Sequence, residues 1–501
     1  MNPAKPIGKS SFYKHLMFGI LLLLLVLPWI QQQFGIWTEK PLFGAFEKQQ
    51  KVNRDSLNSD SWLDGRFQSA VNQQIEAGIG FHNTLVRFYN QWQYMLFRKA
   101  NAEGVIVGQQ GELYEEDYLR AATGAFFIGD EVWKQKATQL KAVQDSLRNL
   151  GKLLLVVVEP GKATVYPEFY PAKYAGLTDR PNNYKAMMTH FKAAGVEVLD
   201  YNACFLHWKD TSDYRLFPQT GTHWSYYGAT LAADSLFKRL AVIFPDRIQP
   251  FGISQIREAN ELRHPDDDIW LTMNVMASPT VQNIAYPTLA YKTKPANGLK
   301  LLTVGDSFYF NWQNEQIILN TFADSKFWYY NKLVYNHAGA ETGLTSPDAL
   351  LPEVMKHDVI LIMITERFHQ NFAWGFDTQL YEALFPGNID RRSYFQNEVR
   401  IGNLEFIRIY NEALAARMPL QERLALEAKF RMFGDWQKHP ELYPDRDDVI
   451  EMLMMAIKGS PDWYAKVRQK ASDRGITDEE MLRIDAGWVY EQKQKERQAK
   501  P

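Results

Sequence analysis

Cysteine is nearly absent: a single thiol, Cys204, in 501 residues excludes an intrachain disulfide and any Cys-x-x-Cys metal or redox motif. A basic excess is lacking as well. The 56 Lys and Arg are balanced by 58 Asp and Glu, giving a formal net charge of −2. No Lys/Arg stripe interleaved with aromatics occurs, so nucleic acid is excluded as a partner. There is no HExxH, P-loop or Rossmann glycine pattern. Asp266-Asp267-Asp268 lacks the glycine and spaced ligands of a calcium loop and reads as a solvated turn. His82, His190, His207, His264, His357, His369 and His439 stand singly and are assigned no ligand role. No cofactor or metal is expected. Internal repeats and low-complexity linkers are missing too, which leaves one large domain with appendages.

An apolar content of 46% with 14% aromatics is ample for a large packed core. At the N-terminus Lys5, Lys9 and Lys14 precede an uninterrupted apolar run from Leu16 to Ile30. At about 1.5 Å per residue that run falls short of a bilayer core of about 30 Å. No small-x-small cleavage site follows it, however, and Phe34, Ile36 and Trp37 can extend the span into the interface. Residues 16–37 are therefore expected to form a retained signal anchor in the inner membrane, with 1–15 cytoplasmic and the rest of the chain in the periplasm. Residues 38–100 should be helical. Phe67, Val71, Ile75, Ile79, Leu85, Phe88, Trp92 and Met95 recur at helical spacing, with a break at Gly78 to Gly80. Core packing is the expectation for this stripe.

Short apolar runs then alternate with helical stretches: Val105 to Val107, Leu153 to Val158, Val196 to Leu199, Lys300 to Val304, Lys332 to Tyr335 and Val359 to Ile364. Continuous Val/Ile/Leu strands separated by helices predict a mostly parallel sheet covered on both faces. In such sheets the ligand crevice lies at the carboxyl ends of the strands. Beyond about residue 411 the chain turns polar and helical, with Gly459-Ser460-Pro461 and Gly475 as breaks and Thr477 with Glu480 as a capping box. Residues 411–501 read as an added helical module.

Leu301 to Phe310, LLTVGDSFYF, runs a buried strand directly into Gly305-Asp306-Ser307-Phe308. A serine hydroxyl at that edge sits among backbone N–H groups that favour developing negative charge. A serine attacks well only when a base takes its proton. His223, in Gly221-Thr222-His223-Trp224-Ser225, is the best base candidate, being in a glycine-bounded turn ahead of an apparent helix start.

These two motifs resemble the paired motifs of the SGNH-hydrolase-like family of alginate O-acetyltransferases, the AlgX/AlgJ-like proteins. Val107-Gly108 through Glu112-Leu113-Tyr114 and Glu159 to Glu168 fit that family's order, and the likeness runs over roughly residues 65 to 410. The resemblance implies a flavodoxin-like SGNH-type α/β/α sandwich over 101–410 in which the histidine precedes the serine. It implies Ser307 as nucleophile and oxyanion N–H, and His223 as base. Asn336 to Gly343 resembles the family's glycine block, which would make Gly339 a second oxyanion donor. The chain also departs from the family. An aspartate two or three residues before the histidine is replaced by Gly221 and Thr220, so the orienting acid comes from elsewhere (Asp200, Asp213 and Glu366 are candidates), a Ser-His dyad suffices, or the site is degenerate. Asp306 points away from its neighbour on the strand and is at most supporting. Glu366 and Arg367 replace the family's Gly-x-Asn-Asp block and are an expected ion pair at a strand end. The implied activity is O-acetyl transfer to an exported polysaccharide, with a multipass membrane O-acyltransferase as donor partner. An esterase or deacetylase of the same chemistry and a non-catalytic assembly subunit are the alternatives.

Overall fold

The computed structural model describes residues 9–44, 57–387, 391–443 and 445–498. Lys5 and Lys500 lie outside them. The chain falls into two compact units. One combines Met1–Glu116 with Pro218–Thr222 and Asn260–Gln282, and the other holds Asp117–Phe217, His223–Ala259 and Asn283–Pro501.

Eleven strands are described: β1 (Val105–Val107), β2 (Leu113–Glu115), β3 (Leu153–Glu159), β4 (Val198–Asp200), β5 (Gly252–Glu258), β6 (Ala285–Ala290), β7 (Lys300–Gly305), β8 (Asp324–Tyr329), β9 (Leu333–Tyr335), β10 (Glu341–Leu344) and β11 (Val359–Thr365). Seven form one sheet in the order β10-β9-β8-β7-β11-β3-β4. The neighbours from β8 to β4 pair in parallel, while β9 and β10 add an antiparallel edge. The mostly parallel α/β/α sandwich is the observed fold.

The apolar runs are buried on both sides, as continuous strands require. Along β3, Leu154, Val156 and Val158 join Leu302, Val304, Ile360, Ile362 and Ile364 in a core closed by Trp133, Leu140 and Phe191 from helices Asp130–Asn149 and Asn183–Ala194. The alternate residues Leu155, Val157, Leu301, Leu361 and Met363 are equally buried on the opposite face. Glycine φ at 71° ends helix Asn183–Ala194 at Gly195, which sends the chain into β4.

Some expectations change. The run Val105 to Val107 is a strand, but it pairs antiparallel with β2 in a separate hairpin and is not part of the large sheet. Strand β8 was not anticipated, because Asp324-Ser325-Lys326-Phe327-Trp328-Tyr329 carries no aliphatic run. The compositional change at 411 falls inside helix Asn403–Ala416, whose Phe406 and Ile409 belong to the sandwich core. Helices Leu420–Lys438, Arg446–Lys458, Pro461–Arg474 and Asp478–Gln498 share a second core built on Trp436, Leu453, Ile457 and Leu482. Glu480 accepts the Thr477 N–H at 2.9 Å and Thr477 accepts the Glu480 N–H at 3.2 Å, completing that capping box. Ser460 makes no side-chain cap; Pro461 starts the next helix instead.

In the other unit, helix Lys9–Phe34 contains a span, Phe12–Phe34, of mean hydropathy 1.8, long and apolar enough to cross a membrane. Helices Arg66–Gly78 and His82–Phe97 break where expected. Their apolar stripe does not pack into a core: Ile75, Leu85, Phe88, Trp92 and Met95 are each more than half exposed.

Candidate functional site

The serine and the histidine reach one place from separate parts of the chain. Strand β7 is central in the sheet, between β8 and β11. Ser307 lies two residues past its last, Gly305, at the carboxyl edge where parallel sheets place their ligand crevices. His223 arrives from a turn held at both ends. After it, Ser225 caps helix Tyr226–Ile243 by accepting the Gly228 N–H at 3.0 Å, and its hydroxyl donates to Arg215 O at 2.8 Å. Between them Trp224 is fully buried, stacks on Trp312 at 5.4 Å and donates its indole N–H to Phe308 O at 3.3 Å. That bond ties the histidine turn to the residue beside Ser307. The resulting separation, His223 Nε2 to Ser307 Oγ, is 2.8 Å. The imidazole also lies 4.9 Å from the Phe308 ring. Both polar groups remain partly accessible. This is the arrangement a hydroxyl needs to lose its proton to a base.

Asp306 points into the sheet. One of its oxygens accepts the Phe308 N–H at 3.0 Å; the other accepts the Thr365 N–H at 3.0 Å and the Thr365 hydroxyl at 2.7 Å. It therefore fixes the nucleophile turn to the end of β11. Glu159, at the end of β3, is fully buried and faces the same carboxylate. Burial first, then the Asp306 charge, raises its pKa well above the ordinary glutamate value. A buried pair of carboxyl groups, Glu159 and Asp306, thus lies beside the serine turn, an element that sequence reasoning missed. The signal was present in a glutamate closing the apolar run of β3.

Several assigned roles move. Gly339 donates its N–H to Asn336 O at 2.9 Å, and the Asn336 side chain accepts from Ala338 and Ala340 N–H groups. Because β9 runs antiparallel to β8, Asn336 and Gly339 lie at the amino-terminal edge of the parallel strands, opposite Ser307. The Ser325 hydroxyl bond to His337 at 2.8 Å marks that edge. Gly339 is not an oxyanion donor in this geometry. Glu366 and Arg367 do not pair. Glu366 is buried against Gly161, accepts from the Thr164 hydroxyl, and has its pKa pushed up to about 7 by burial. Arg367 stacks over the Phe368 and Tyr118 rings at 4.5 and 5.3 Å.

None of the three proposed orienting acids reaches the His223 ring. Asp200 caps helix Tyr201–Lys209 and accepts the Tyr184 hydroxyl at 2.8 Å. Asp213 is exposed, and Glu366 is turned to Thr164. At Gly221 a Cβ would stand 2.7 Å from the backbone oxygen of Asp266, which is why no carboxylate occupies that position. Thr220 donates its hydroxyl to the same oxygen at 3.0 Å. The Asp266 to Asp268 segment is not a solvated turn: Asp266 is fully buried, and Asp268 accepts the Thr222 N–H at 2.8 Å. The Thr222 hydroxyl donates to Glu115 at 3.3 Å. Two carboxylates thus hold the residue immediately before the histidine. Among the described residues no group of three or more His, Cys, Asp or Glu side chains suits a metal ion.

Clefts of about 530 and 400 Å³ lie elsewhere. One is between helices of the C-terminal bundle and the other is lined by Trp208, Tyr227 and Asp234; neither is lined by Ser307 or His223.

Residues 105–250 match the family described as SGNH hydrolase-like domain, acetyltransferase AlgX. The chain is thus similar to AlgX/AlgJ-like SGNH proteins over that stretch. The matched stretch includes His223 and stops short of Ser307. Over 175 residues the chain is 30% identical to the "Probable alginate O-acetylase AlgJ" of Pseudomonas aeruginosa, covering 35% of this chain and 42% of the relative. It is 27% identical over 202 residues to the protein of the same name in Pseudomonas putida, covering 40% and 48% respectively. The chain thus spans less than half the length of these two relatives. Among solved structures, the O-acetyltransferase domain of Pseudomonas putida AlgJ is 20% identical with a TM-score of 0.35, covering 56% of this chain and 99% of that one.

Proposed function

We propose that this AlgX/AlgJ-like chain is a membrane-anchored, periplasm-facing O-acetyltransferase that passes acetyl groups through Ser307 to hydroxyls of an exported polysaccharide. The observation that carries the reading is the 2.8 Å approach of His223 Nε2 to Ser307 Oγ at the carboxyl edge of the sheet. Residues 101–410 act as the catalytic part, 16–37 as the inner-membrane anchor, 38–100 as a helical connection and 411–501 as an appended helical module.

His223 Nε2 takes the proton from Ser307 as Oγ attacks the acetyl carbon of the donor. The carbonyl electron pair moves onto its oxygen, which the Ser307 N–H meets as hydrogen-bond donor. Collapse breaks the bond to the donor oxygen or sulfur, and the leaving group receives the proton from His223. A sugar hydroxyl then loses its proton to His223, attacks the acetyl-serine carbon and releases Ser307, which recovers its proton. The relatives' printed names supply alginate as the acceptor class. Acetyl-CoA is cytoplasmic, so the donor is handed across the membrane by a multipass O-acyltransferase partner.

The test uses the full-length protein in detergent. A fluorophosphonate should modify Ser307, located by peptide mass spectrometry, and modification should collapse in His223→Ala. With a chromogenic acetyl ester as donor, alginate oligosaccharides should accept acetyl in competition with water. Release of free acetate alone would favour an esterase. A folded protein that takes no label at Ser307 would refute the serine chemistry and leave a non-catalytic assembly subunit.

A further inference from the structure

Helix His82–Phe97 is built inside out. The side that meets the rest of its unit is polar: Arg87 donates to Pro41 O at 2.8 Å, Asn90 to Met273 O at 3.0 Å, and Gln91 accepts the Ala277 N–H at 2.9 Å. Thr84 bonds Glu39 through both its N–H and its hydroxyl. The opposite side carries Leu85, Phe88, Tyr89, Trp92, Met95 and Leu96, each more than half exposed. Their spacing of three and four residues puts all six on one face. A water-facing helix of a soluble protein has the reverse pattern, so this face needs a non-aqueous neighbour.

Its position says which. The turn before the helix seats Gly80 on the last part of the membrane-span helix: a Cβ on Gly80 would overlap Pro28 O, and would lie 2.7 Å from Gln31 Cβ and 2.8 Å from Gln32 N. Gln31 in turn bonds both the N–H and the carbonyl of Trp37, at 2.9 and 2.6 Å. Trp29 and Trp37, both exposed, belong to the same end of the span. Arg98 and Lys99 follow the apolar face and are exposed. A tryptophan- and tyrosine-bearing apolar face beside the mouth of a membrane span, flanked by cations, has the chemistry of the headgroup layer.

We infer that the outward face of helix His82–Phe97 is embedded in the lipid headgroup layer beside the anchor, so that the protein holds the membrane by a flat interfacial helix as well as by a span. The inference rests on the anchor reading given above.

The experiment uses the full chain in phosphatidylethanolamine/phosphatidylglycerol vesicles. In a Cys204→Ser background, single thiols at Phe88→Cys, Tyr89→Cys, Leu23→Cys and Leu404→Cys carry an environment-sensitive fluorophore, and doxyl-labelled lipid is the quencher. Positions 88 and 89 should be quenched several-fold more than the exposed control at 404, and 23 should be quenched as part of the span. Positions 88 and 89 behaving like 404 while 23 is quenched would overturn the inference and leave the anchor standing. Loss of quenching at 23 would refute the anchor. In that case the inference falls with the anchor, whatever positions 88 and 89 show. Shielding at 88 and 89 without lipid quenching, growing with protein density, would assign the face to a second copy and overturn the inference.

Discussion

Replacing Glu159 by glutamine tests the buried carboxyl pair beside Ser307. In the folded protein the Glu159 carboxyl is fully buried against Asp306 with its pKa raised well above the ordinary value, so it stays protonated where an unfolded chain would ionise it. Unfolding then releases a proton. A raised folded-state pKa contributes stability that is fully present below the unfolded value, about 4.3, and declines as pH climbs towards the folded one. Across that window the decline is about 1.4 kcal/mol for each pH unit. Glutamine keeps the donor and removes the titration. Glu159→Gln should therefore resemble wild type in stability near pH 4, then gain on it by about 1.4 kcal/mol between pH 5 and pH 6. Glu366, whose pKa is pushed up to about 7, adds a decline of the same sign to both proteins and cancels in the difference. The measurement is denaturant unfolding of the full chain in detergent followed by tryptophan fluorescence, repeated at half-unit pH steps. Parallel pH curves for the two proteins would show that Glu159 carries no such proton and would refute the argument. Equal serine labelling in both would place the pair in support of the fold and outside the chemistry.

Two further outcomes follow from the histidine turn. Gly221→Asp, which restores the carboxylate at the position the family uses, should fail to raise activity. It should also lower stability by about 1–3 kcal/mol, because its Cβ would meet Asp266 O at 2.7 Å; a more active variant of wild-type stability would contradict the crowding. Asp268→Ala leaves the Thr222 N–H without its acceptor and should lower stability by about 1–3 kcal/mol, read by denaturant unfolding. Asp268→Asn, which keeps one acceptor oxygen, should recover part of that loss.

The serine edge was legible because two constraints coincide there: a strand buried on both faces must be apolar throughout, and Gly305-Asp306-Ser307 interrupts that run. The histidine was legible from its glycine-bounded turn. What failed were assignments that depend on register. Nothing local in Asn336 to Gly343 reveals that β9 runs antiparallel and carries Gly339 to the far edge. The acids Asp200, Asp213 and Glu366 are candidates by residue type alone, and their side-chain directions are set by Tyr184, by solvent exposure and by Thr164. Asp266 to Asp268 looked solvated because consecutive acids usually are; the turn residues Gly221 and Thr220, packed on Asp266 O, give that segment its buried place. The stripe of helix His82–Phe97 was read correctly as a helix with one apolar face. Periodicity fixes which residues share a face, and leaves open whether that face meets protein.

Strand β11 lies between β3 and β7, although it is the last of the seven to be made. A ribosome that has released both His223 and Ser307 has still not delivered the piece that joins the two halves of the sheet. Until Thr365 emerges, β3 and β7 each present a bare strand edge, open to wrong pairings. The Ser307–His223 pair is therefore kept unassembled through most of synthesis. A chain cut before residue 359 should be sticky and inert even though it contains every residue of the proposed chemistry.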